Sequence, residues 1–184
     1  MEKLLAGRDT SHLSMLHFAP ERFFRRWFSQ AFGTYETADL HKPGVDHNVD
    51  LQCLPFPDAS YDFVYASHVL EHVPDDRKAL REIRRILKPS GIAVLPVPLY
   101  AERTVEYGAA NPHEFHHVRA PGYDYFDRYR EVFPRVDLVR SESLPEIHQL
   151  YMYEDRTGFP TEASPLRPPM AGTRHADVVP ICYA

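Results

Sequence analysis

Asp39 and Asp50 are two carboxylates placed where a chain of this pattern can bind a polar ligand. Asp39 falls at the end of a strand-like run that starts at Thr34, and a carboxylate there can accept hydrogen bonds from both hydroxyls of a ribose. Asp50 precedes Leu51, so its carboxylate can accept from an adenine amino group while the leucine packs on the ring. Aspartate is also common in turns, so each residue taken alone is more simply a turn or cap residue.

The segment 113–117 reads His-Glu-Phe-His-His and satisfies the pattern H-E-x-x-H. On a helix this spacing places both histidines on one face, where they bind zinc, and the glutamate activates water for hydrolysis. Pro112 and Pro121 bracket the segment, and it lacks the apolar periodicity of a packed helix. A third ligand is evident only if Glu131 or His148 reaches back. We therefore predict no metal site here and keep zinc-dependent hydrolysis as an alternative.

The glycine content excludes one class of ligand site. The 184 residues include 17 prolines and only 8 glycines, and no two glycines lie closer than eleven positions, so the glycine-pair motifs that bind phosphate are absent. Hydrophobic residues make up 43% and charged residues 26%, the balance of one folded domain. The net charge of -5 disfavours nucleic acid and anionic membranes as general partners, because both require a basic face.

The cysteine count and the apolar runs predict a cytoplasmic protein. Cys53 and Cys182 are the only two cysteines, too few for a disulfide framework or a four-thiolate zinc site. The longest apolar run, 91–101, contains two prolines and is far shorter than the roughly 20 residues that span a bilayer. The first residues lack the apolar core of a signal peptide.

Alternating strands and helices are predicted over the first half of the chain. Strands are expected at 13–19, 34–40, 61–66 and 92–97, with one helix from Pro20 to Gly33 and another from Asp75 to the stop at 89–91. This alternation predicts a mostly parallel sheet in a three-layer α/β domain. Ligands of such sheets bind beyond the carboxyl ends of the strands. Those ends carry Ala19, Asp39, Ser67 and Pro98.

The last part of the chain is less regular. A helix is expected at 123–133, a strand at 136–140 and irregular backbone at 158–170. The final strand is either 147–153 or 178–182, and Pro180 counts against the second because proline interrupts a central ladder. We divide the chain into a domain over residues 1–157 and a proline-rich segment over 158–184.

A series of short motifs runs from Leu54 to Gly91: L-P-F at 54–56, D-A-S-Y-D at 58–62, L-E-H at 70–72 and R-I-L-K-P-S-G at 85–91. In order and spacing the series resembles the second half of the class I S-adenosylmethionine-dependent methyltransferases. The sequence L-H-F-A-P-E at 16–21 resembles the first loop of a methyltransferase type 11-like subfamily. That subfamily's later D-H-x-R and D-Y are approximated by 116–119 and 124–125. The resemblance covers about residues 13–140.

The resemblance implies a Rossmann-like class I fold, S-adenosyl-L-methionine as cofactor, and a set of binding residues. It places the methionine end of the cofactor at the first loop, the ribose at the end of the second strand, adenine after the next loop, and the transferable methyl beside the fourth strand. Glu71 and His72 belong to the same signature and are expected mainly to stabilise the turn into the helix. The implied cofactor-binding residues are Phe18, Ala19, Glu21, Asp39, Leu40, Asp50, Leu51, Ser67 and His68.

The chain departs from the family pattern in its first loop. His17 stands where the family has an acid, and Ala19 stands where it has a glycine, whose lack of a side chain permits a positive φ. Backbone N–H groups near Pro20 would then bind the methionine carboxylate, with Glu21 facing its ammonium. The interval from Asp39 to Asp50 is short, so we expect a loop in place of the usual second helix. A cysteine-rich segment common before the first strand in that subfamily is absent.

The implied function is methyl transfer to a small-molecule acceptor. Such transfer requires alignment and exclusion of water, and an acceptor that loses a proton also needs a base. His117 is the first candidate for this catalytic role and His68 the second. The alternative is a methyltransferase-like protein that has lost activity or cofactor binding, which the missing glycines favour and Asp39 and Asp50 oppose. The sequence predicts no oligomeric state.

Overall fold

A computed structural model of the protein describes residues 2–149 and 151–184. Four helices and eleven strands are assigned within these ranges. The helices are α1 (Glu2–Leu5), α2 (Arg22–Ala31), α3 (Asp76–Ile86) and α4 (Phe126–Arg130). The strands are β1 (Ser14–Phe18), β2 (Thr34–Asp39), β3 (His47–Asn48), β4 (Tyr61–Ala66), β5 (Leu87–Val94), β6 (Val105–Asn111), β7 (His117–Ala120), β8 (Arg135–Arg140), β9 (Tyr151–Met152), β10 (His175–Ala176) and β11 (Val178–Tyr183).

Seven strands form the central sheet in the order β3-β2-β1-β4-β5-β11-β8. The first five are parallel, and β11 runs antiparallel to both of its neighbours. Phe18 at the end of β1 pairs with Ala38 on one side and Ala66 on the other. The carboxyl ends of β1, β2 and β4 are therefore level. The predicted α/β class with a mostly parallel sheet is confirmed.

Helices cover both faces of the sheet because successive strand residues point to opposite sides. Met15, Phe63 and Val94 face α2 and pack around its buried Phe28. The neighbouring positions in the same strands face α3 and α4 and belong to the main core. Representative members of that core are Leu16, Val64, Ala93, Leu80, Ile83, Phe126 and Tyr129.

The start of α3 follows from its capping residue. Asp75 precedes the helix, and its side chain accepts a hydrogen bond from the backbone N–H of Lys78 at 2.9 Å. The other end differs from the prediction, because β5 begins at Leu87 directly after the helix and contains Pro89. Tyr61 pairs with Leu87 and Phe63 with Ile92, so the register shifts between these pairs and the intervening residues form an irregularity that accommodates the proline. The strand also ends at Val94, short of the predicted 97.

Of the two alternatives for the final strand, the segment 178–182 forms it as β11, although Pro180 counts against that choice. Strand β11 lies between β5 and β8, and Pro180 pairs with Leu138 of β8. The Pro180 carbonyl accepts from the Leu95 N–H at 3.4 Å, just beyond Val94, where the pairing of β5 ends. In an antiparallel strand the N–H and the carbonyl of one residue point to the same neighbouring strand. The N–H that Pro180 lacks would therefore point to β5, at the point where the pairing of β5 with β11 ends.

The other irregular regions largely follow expectation. Residues 40–46 contain no helix, as predicted, and the helix expected at 123–133 is a 3-10 turn at Tyr123–Tyr125 followed by α4. Residues 158–170 carry no helix or named strand. Of the alternative strand at 147–153, only β9 forms, paired with β10, and Leu150 lies outside the described residues. In the described part of the chain, every helix is too short or too polar to cross a bilayer.

Candidate functional site

The first loop turns at Ala19, which has a φ of +49°. Its N–H donates to the Ala38 carbonyl at 2.9 Å, so the chain turns immediately after its last pairing with β2. This left-handed conformation costs an alanine about 1–2 kcal/mol and costs a glycine almost nothing. The methyl group was expected to restrict a positive φ, yet the loop adopts the conformation that a glycine would give. Phe18, the residue before the turn, is buried.

His17 lies in β1 just before the first loop, and its imidazole is fully buried. Its Nε2 lies 2.8 Å from Glu21 Oε2, and its Nδ1 lies 2.8 Å from the Tyr35 hydroxyl. Burial raises the pKa of Tyr35 to about 12, so that hydroxyl stays protonated and donates. Nδ1 then accepts from the Tyr35 hydroxyl, and Nε2 donates to Glu21.

Glu21 occupies the N-cap position of α2, directly after the first loop, and its side chain makes no capping hydrogen bond. Partial burial raises the pKa of its carboxyl, but hydrogen bonds from His17, from its own backbone N–H and from the Ser67 hydroxyl together lower that pKa below its ordinary value. The carboxylate is therefore ionised at neutral pH. Contact with both His17 and Ser67 places this charge across the ends of β1 and β4.

Asp39 is partly a turn residue and partly an open acceptor. Its Oδ1 accepts from the N–H groups of His41 and Lys42, both at 2.8 Å. Its Oδ2 has no hydrogen-bond partner among the described residues. The Lys42 ammonium donates to the Pro20 carbonyl at 2.8 Å and thereby joins this loop to the first one. Leu40 beside it is exposed.

Asp50 is exposed, and both of its oxygens accept from Gln52. Leu51 is only 5% exposed and packs in the main core. The two residues predicted to contact adenine thus point in different directions, with the carboxylate in solvent and the leucine mostly inside.

Ser67 and His68 follow the last residue of β4. The His68 N–H donates to the Pro96 carbonyl at 2.9 Å, which connects the ends of β4 and β5. His68 has a φ of +54°, and its side chain is about half exposed. The structure therefore brings Ala19, Asp39 and Ser67 to one edge of the sheet, as the sequence predicts.

A cluster of Glu71, His72 and His117 lies beside this edge. One ligand atom from each residue lies within 4.8 Å of the others. The His72 and His117 rings meet edge to face at 4.6 Å, and Tyr100 stacks on His117 at 5.7 Å. Burial raises the pKa of Glu71 to about 8, while burial and the neighbouring His72 lower the pKa of His117 to about 4.

Arg119 holds the two parts of this cluster together. Its guanidinium donates to the carbonyls of Leu70 and Val73 at 2.7 Å and of Pro74 at 2.9 Å. These carbonyls flank the 3-10 turn Leu70–His72 that carries Glu71. Because Arg119 is two residues after His117 in β7, its bonds fix the distance between the turn and the strand.

The H-E-x-x-H segment is not a helix. Residues 112–116 form a turn, and His117 starts β7, so the two histidines do not share a helical face. Glu114 is buried and accepts from Arg156, Arg167 and the Tyr107 hydroxyl. A carboxylate so occupied is not free to activate water, and its role is to attach the segment after β9 to the β6–β7 hairpin.

Sequence reasoning missed the cluster and its support. Glu71 and His72 are expected mainly to stabilise a turn, and Arg119 enters the sequence analysis only as part of a motif match. The available signal was the L-E-H motif together with His-His-Val-Arg at 116–119, which share a site only after the hairpin folds back.

Comparison with known proteins agrees with the fold. A family model described as a methyltransferase domain matches residues 26–95. The demethylmenaquinone methyltransferase of Listeria welshimeri is 46% identical over 54 residues, which are 29% of this chain and 22% of that protein. The matched segment is thus less than a quarter of the relative's length.

Two solved structures share the architecture at low sequence identity. A SAM-dependent methyltransferase from Archaeoglobus fulgidus has a TM-score of 0.61 and 15% identity, covering 100% of this chain and 91% of the other. The Burkholderia thailandensis 1,6-didemethyltoxoflavin-N1-methyltransferase, with bound 1,6-didemethyltoxoflavin and S-adenosylhomocysteine, has a TM-score of 0.57 and 15% identity, covering 94% and 72%. The match to a methyltransferase-domain model thus covers residues 26–95, and the chain as a whole shares the Rossmann-like methyltransferase fold of these structures.

Proposed function

We propose that the protein transfers a methyl group from S-adenosyl-L-methionine to a small-molecule acceptor. The observation that carries this proposal is the common edge formed by the ends of β1, β2 and β4, where Glu21, Asp39 and Ser67 lie. Parallel α/β sheets bind their ligands at such an edge.

The residues at this edge fit the polar groups of the cofactor. The ionised Glu21 suits the methionine ammonium, and the N–H groups at the start of α2 suit its carboxylate. Asp39 Oδ2 is free to accept from a ribose hydroxyl while Oδ1 holds the turn. The exposed Leu40 would supply an apolar contact, and Asp50 would accept from the adenine amino group in place of Gln52, while the buried Phe18 and Leu51 would support this edge from inside.

When bound, the cofactor supplies a methyl group on a positively charged sulfur. The chain's own task is then to align the acceptor, exclude water and, where the acceptor loses a proton, accept that proton. His68 and His117 are the candidates to accept this proton. Both rings lie near Glu71, which follows the end of β4. The partly exposed His68 is reachable from solvent, whereas His117 is buried under Tyr100.

A catalytically inactive relative is the less supported alternative. The missing glycine of the first loop favours it, but Ala19 adopts the glycine-like conformation there. The zinc-hydrolase alternative also loses support, because Glu114 is held by two arginines.

A transfer assay with methyl-labelled S-adenosylmethionine tests the proposal. The acceptors to compare are a panel of hydroxylated and aminated aromatic small molecules, with total RNA as the macromolecular alternative. We expect label in a small molecule and inhibition by S-adenosylhomocysteine. Label in RNA alone would contradict the proposed acceptor class, and no transfer to any acceptor together with no cofactor binding would contradict the proposal.

A further inference from the structure

The Glu71, His72 and His117 cluster contains polar atoms that nothing in the described chain satisfies. Both Glu71 oxygens are buried, and neither accepts a hydrogen bond from another described residue. His117 Nδ1 is also buried without a partner. Burying such groups unpaired is unfavourable, and native proteins rarely leave several together. The cluster is therefore arranged as if a further ligand completes it.

The donor set identifies the chemistry of that ligand. Two imidazole nitrogens and one carboxylate oxygen are the ligands of a divalent transition metal, and His2Glu is a donor set of catalytic zinc sites. The three ligand atoms already lie within 4.8 Å of one another. Bonds of about 2.0–2.2 Å to a tetrahedral ion place ligand atoms about 3.3–3.6 Å apart, so these atoms need to approach by no more than about 1.2–1.5 Å.

We propose that Glu71, His72 and His117 bind one divalent transition-metal ion of the zinc class. Three protein ligands leave one position of a four-coordinate ion open, and His72 is the exposed member of the three. His68 Nδ1, 3.7 Å from Glu71 Oε1, is the adjacent group that could fill this position when no other ligand does.

The surrounding residues support the ligands from outside. Arg119 fixes the turn that carries Glu71 and His72 relative to β7, and Tyr100 stacks on the His117 ring. Outer contacts of this kind orient the ligands of known metal sites. The chain thus supplies both the ligands and the frame that holds them, from two separate segments.

A bound ion would refine the proposed function at the same edge of the sheet, and this consequence rests on that function. An acceptor oxygen in the open position would be polarised and would lose its proton more readily. The acceptor class would then be a hydroxyl-bearing small molecule. His117, as a ligand, would not serve as the base, which leaves His68 for that role.

Cobalt titration tests the site independently of any methyl transfer. The full chain, purified without a histidine tag and stripped with a chelator, is titrated with Co2+ while the visible absorption is recorded, and Zn2+ is then added to displace it. The variants are His117→Ala and Glu71→Gln. The matched control is His113→Ala, which removes an exposed histidine that the H-E-x-x-H interpretation needs and this site does not.

We expect saturation at one Co2+ per chain with the spectrum of a four-coordinate ion. Affinity should fall more than about tenfold in His117→Ala and Glu71→Gln and remain unchanged in His113→Ala. Absence of saturable binding to the unmodified chain would overturn the proposal, as would an equal loss in His113→Ala. If circular dichroism shows that His117→Ala is unfolded, His72→Ala at the exposed ligand decides: retained affinity would overturn the proposal.

Discussion

His17 Nε2 lies 2.8 Å from Glu21 Oε2, across the turn that joins β1 to α2. A buried imidazole thus lies at the end of β1, and a carboxylate follows four residues later. Because the buried imidazole donates to it, Glu21 stays ionised at the edge of the sheet. The chain therefore keeps one negative charge at the place where the methionine ammonium is expected.

Glu21→Gln should weaken binding of S-adenosylmethionine. The amide removes the charge that pairs with the ammonium, and a hydrogen bond to a charged group contributes about 1.5–3 kcal/mol. We expect the dissociation constant to rise about 10- to 100-fold, with little change in melting temperature. The control is Glu146→Gln, at an exposed position away from the edge. Equal affinities for Glu21→Gln and the unmodified protein would remove Glu21 from the site.

Ala19→Gly should stabilise the protein. It relieves about 1–2 kcal/mol of left-handed strain, while the added freedom of the unfolded chain costs roughly 0.5–1 kcal/mol. We expect a net gain below about 1.5 kcal/mol in the free energy of unfolding from urea titration. Ala31→Gly, in the last turn of α2, is the matched control and should destabilise. A loss of stability in both variants would show that Ala19 is not strained.

Asp62→Asn should make stability less dependent on acid pH. Asp62 Oδ2 accepts from the Ser14 N–H and hydroxyl and from Lys88. Partial burial raises the pKa of the carboxyl, but these contacts lower it further than burial raises it. A depressed folded-state pKa means that the stabilisation is present above the ordinary value of 3.8 and is lost as the pH falls through the folded value.

Urea denaturation between pH 7 and pH 3 measures this effect. The unmodified protein should be more stable than Asp62→Asn by about 1–3 kcal/mol at pH 7, and the difference should shrink below pH 4. A difference that is constant over the whole range would show that the charge of Asp62 does not contribute.

Arg156→Ala should destabilise the protein and loosen the segment after β9. Arg156 is fully buried, pairs with Glu114 and lies over the Tyr100 ring at 4.4 Å. Removing one partner of a buried pair typically costs 3–5 kcal/mol, and the remaining Arg167 places the expected loss near 3 kcal/mol.

Thermal unfolding and limited proteolysis together test this attachment. Cleavage within residues 157–170 should become faster in Arg156→Ala and remain unchanged in Arg135→Ala, whose pair with Asp137 is exposed. An unchanged cleavage rate in Arg156→Ala would show that the buried pair of Arg156 and Glu114 does not hold residues 157–170 in place.

The sequence predicts those helices and strands whose limits depend on a few neighbouring residues. The bounds of β2 and β4, and the Asp75 cap of α3, follow from strand alternation and capping, which a few neighbouring residues determine. The position of β11 in the sheet does not follow from such patterns. Pro180 is tolerated there because the pairing of β5 ends opposite it. That condition belongs to another segment and is invisible in the strand's own sequence.

The candidate site divides in the same way. The positions of Ala19, Asp39 and Ser67 follow from the strand order that the motifs imply. The cluster of Glu71, His72 and His117 depends on Arg119, which reaches carbonyls up to 49 positions away in the chain. These contacts form only where the β6–β7 hairpin lies against the turn Leu70–His72, and the residues near each position in the chain do not predict that placement.

The most direct test of methyl donor binding is calorimetric titration with S-adenosylmethionine and S-adenosylhomocysteine. The informative variant is Asp39→Asn, which keeps an oxygen for the His41 and Lys42 N–H groups and replaces the open acceptor. The control is Asp127→Asn, at an exposed position of α4. We expect one ligand per chain, affinity at least about tenfold weaker in Asp39→Asn, and no change in Asp127→Asn. No binding of either ligand at millimolar concentration to the unmodified protein would contradict the account.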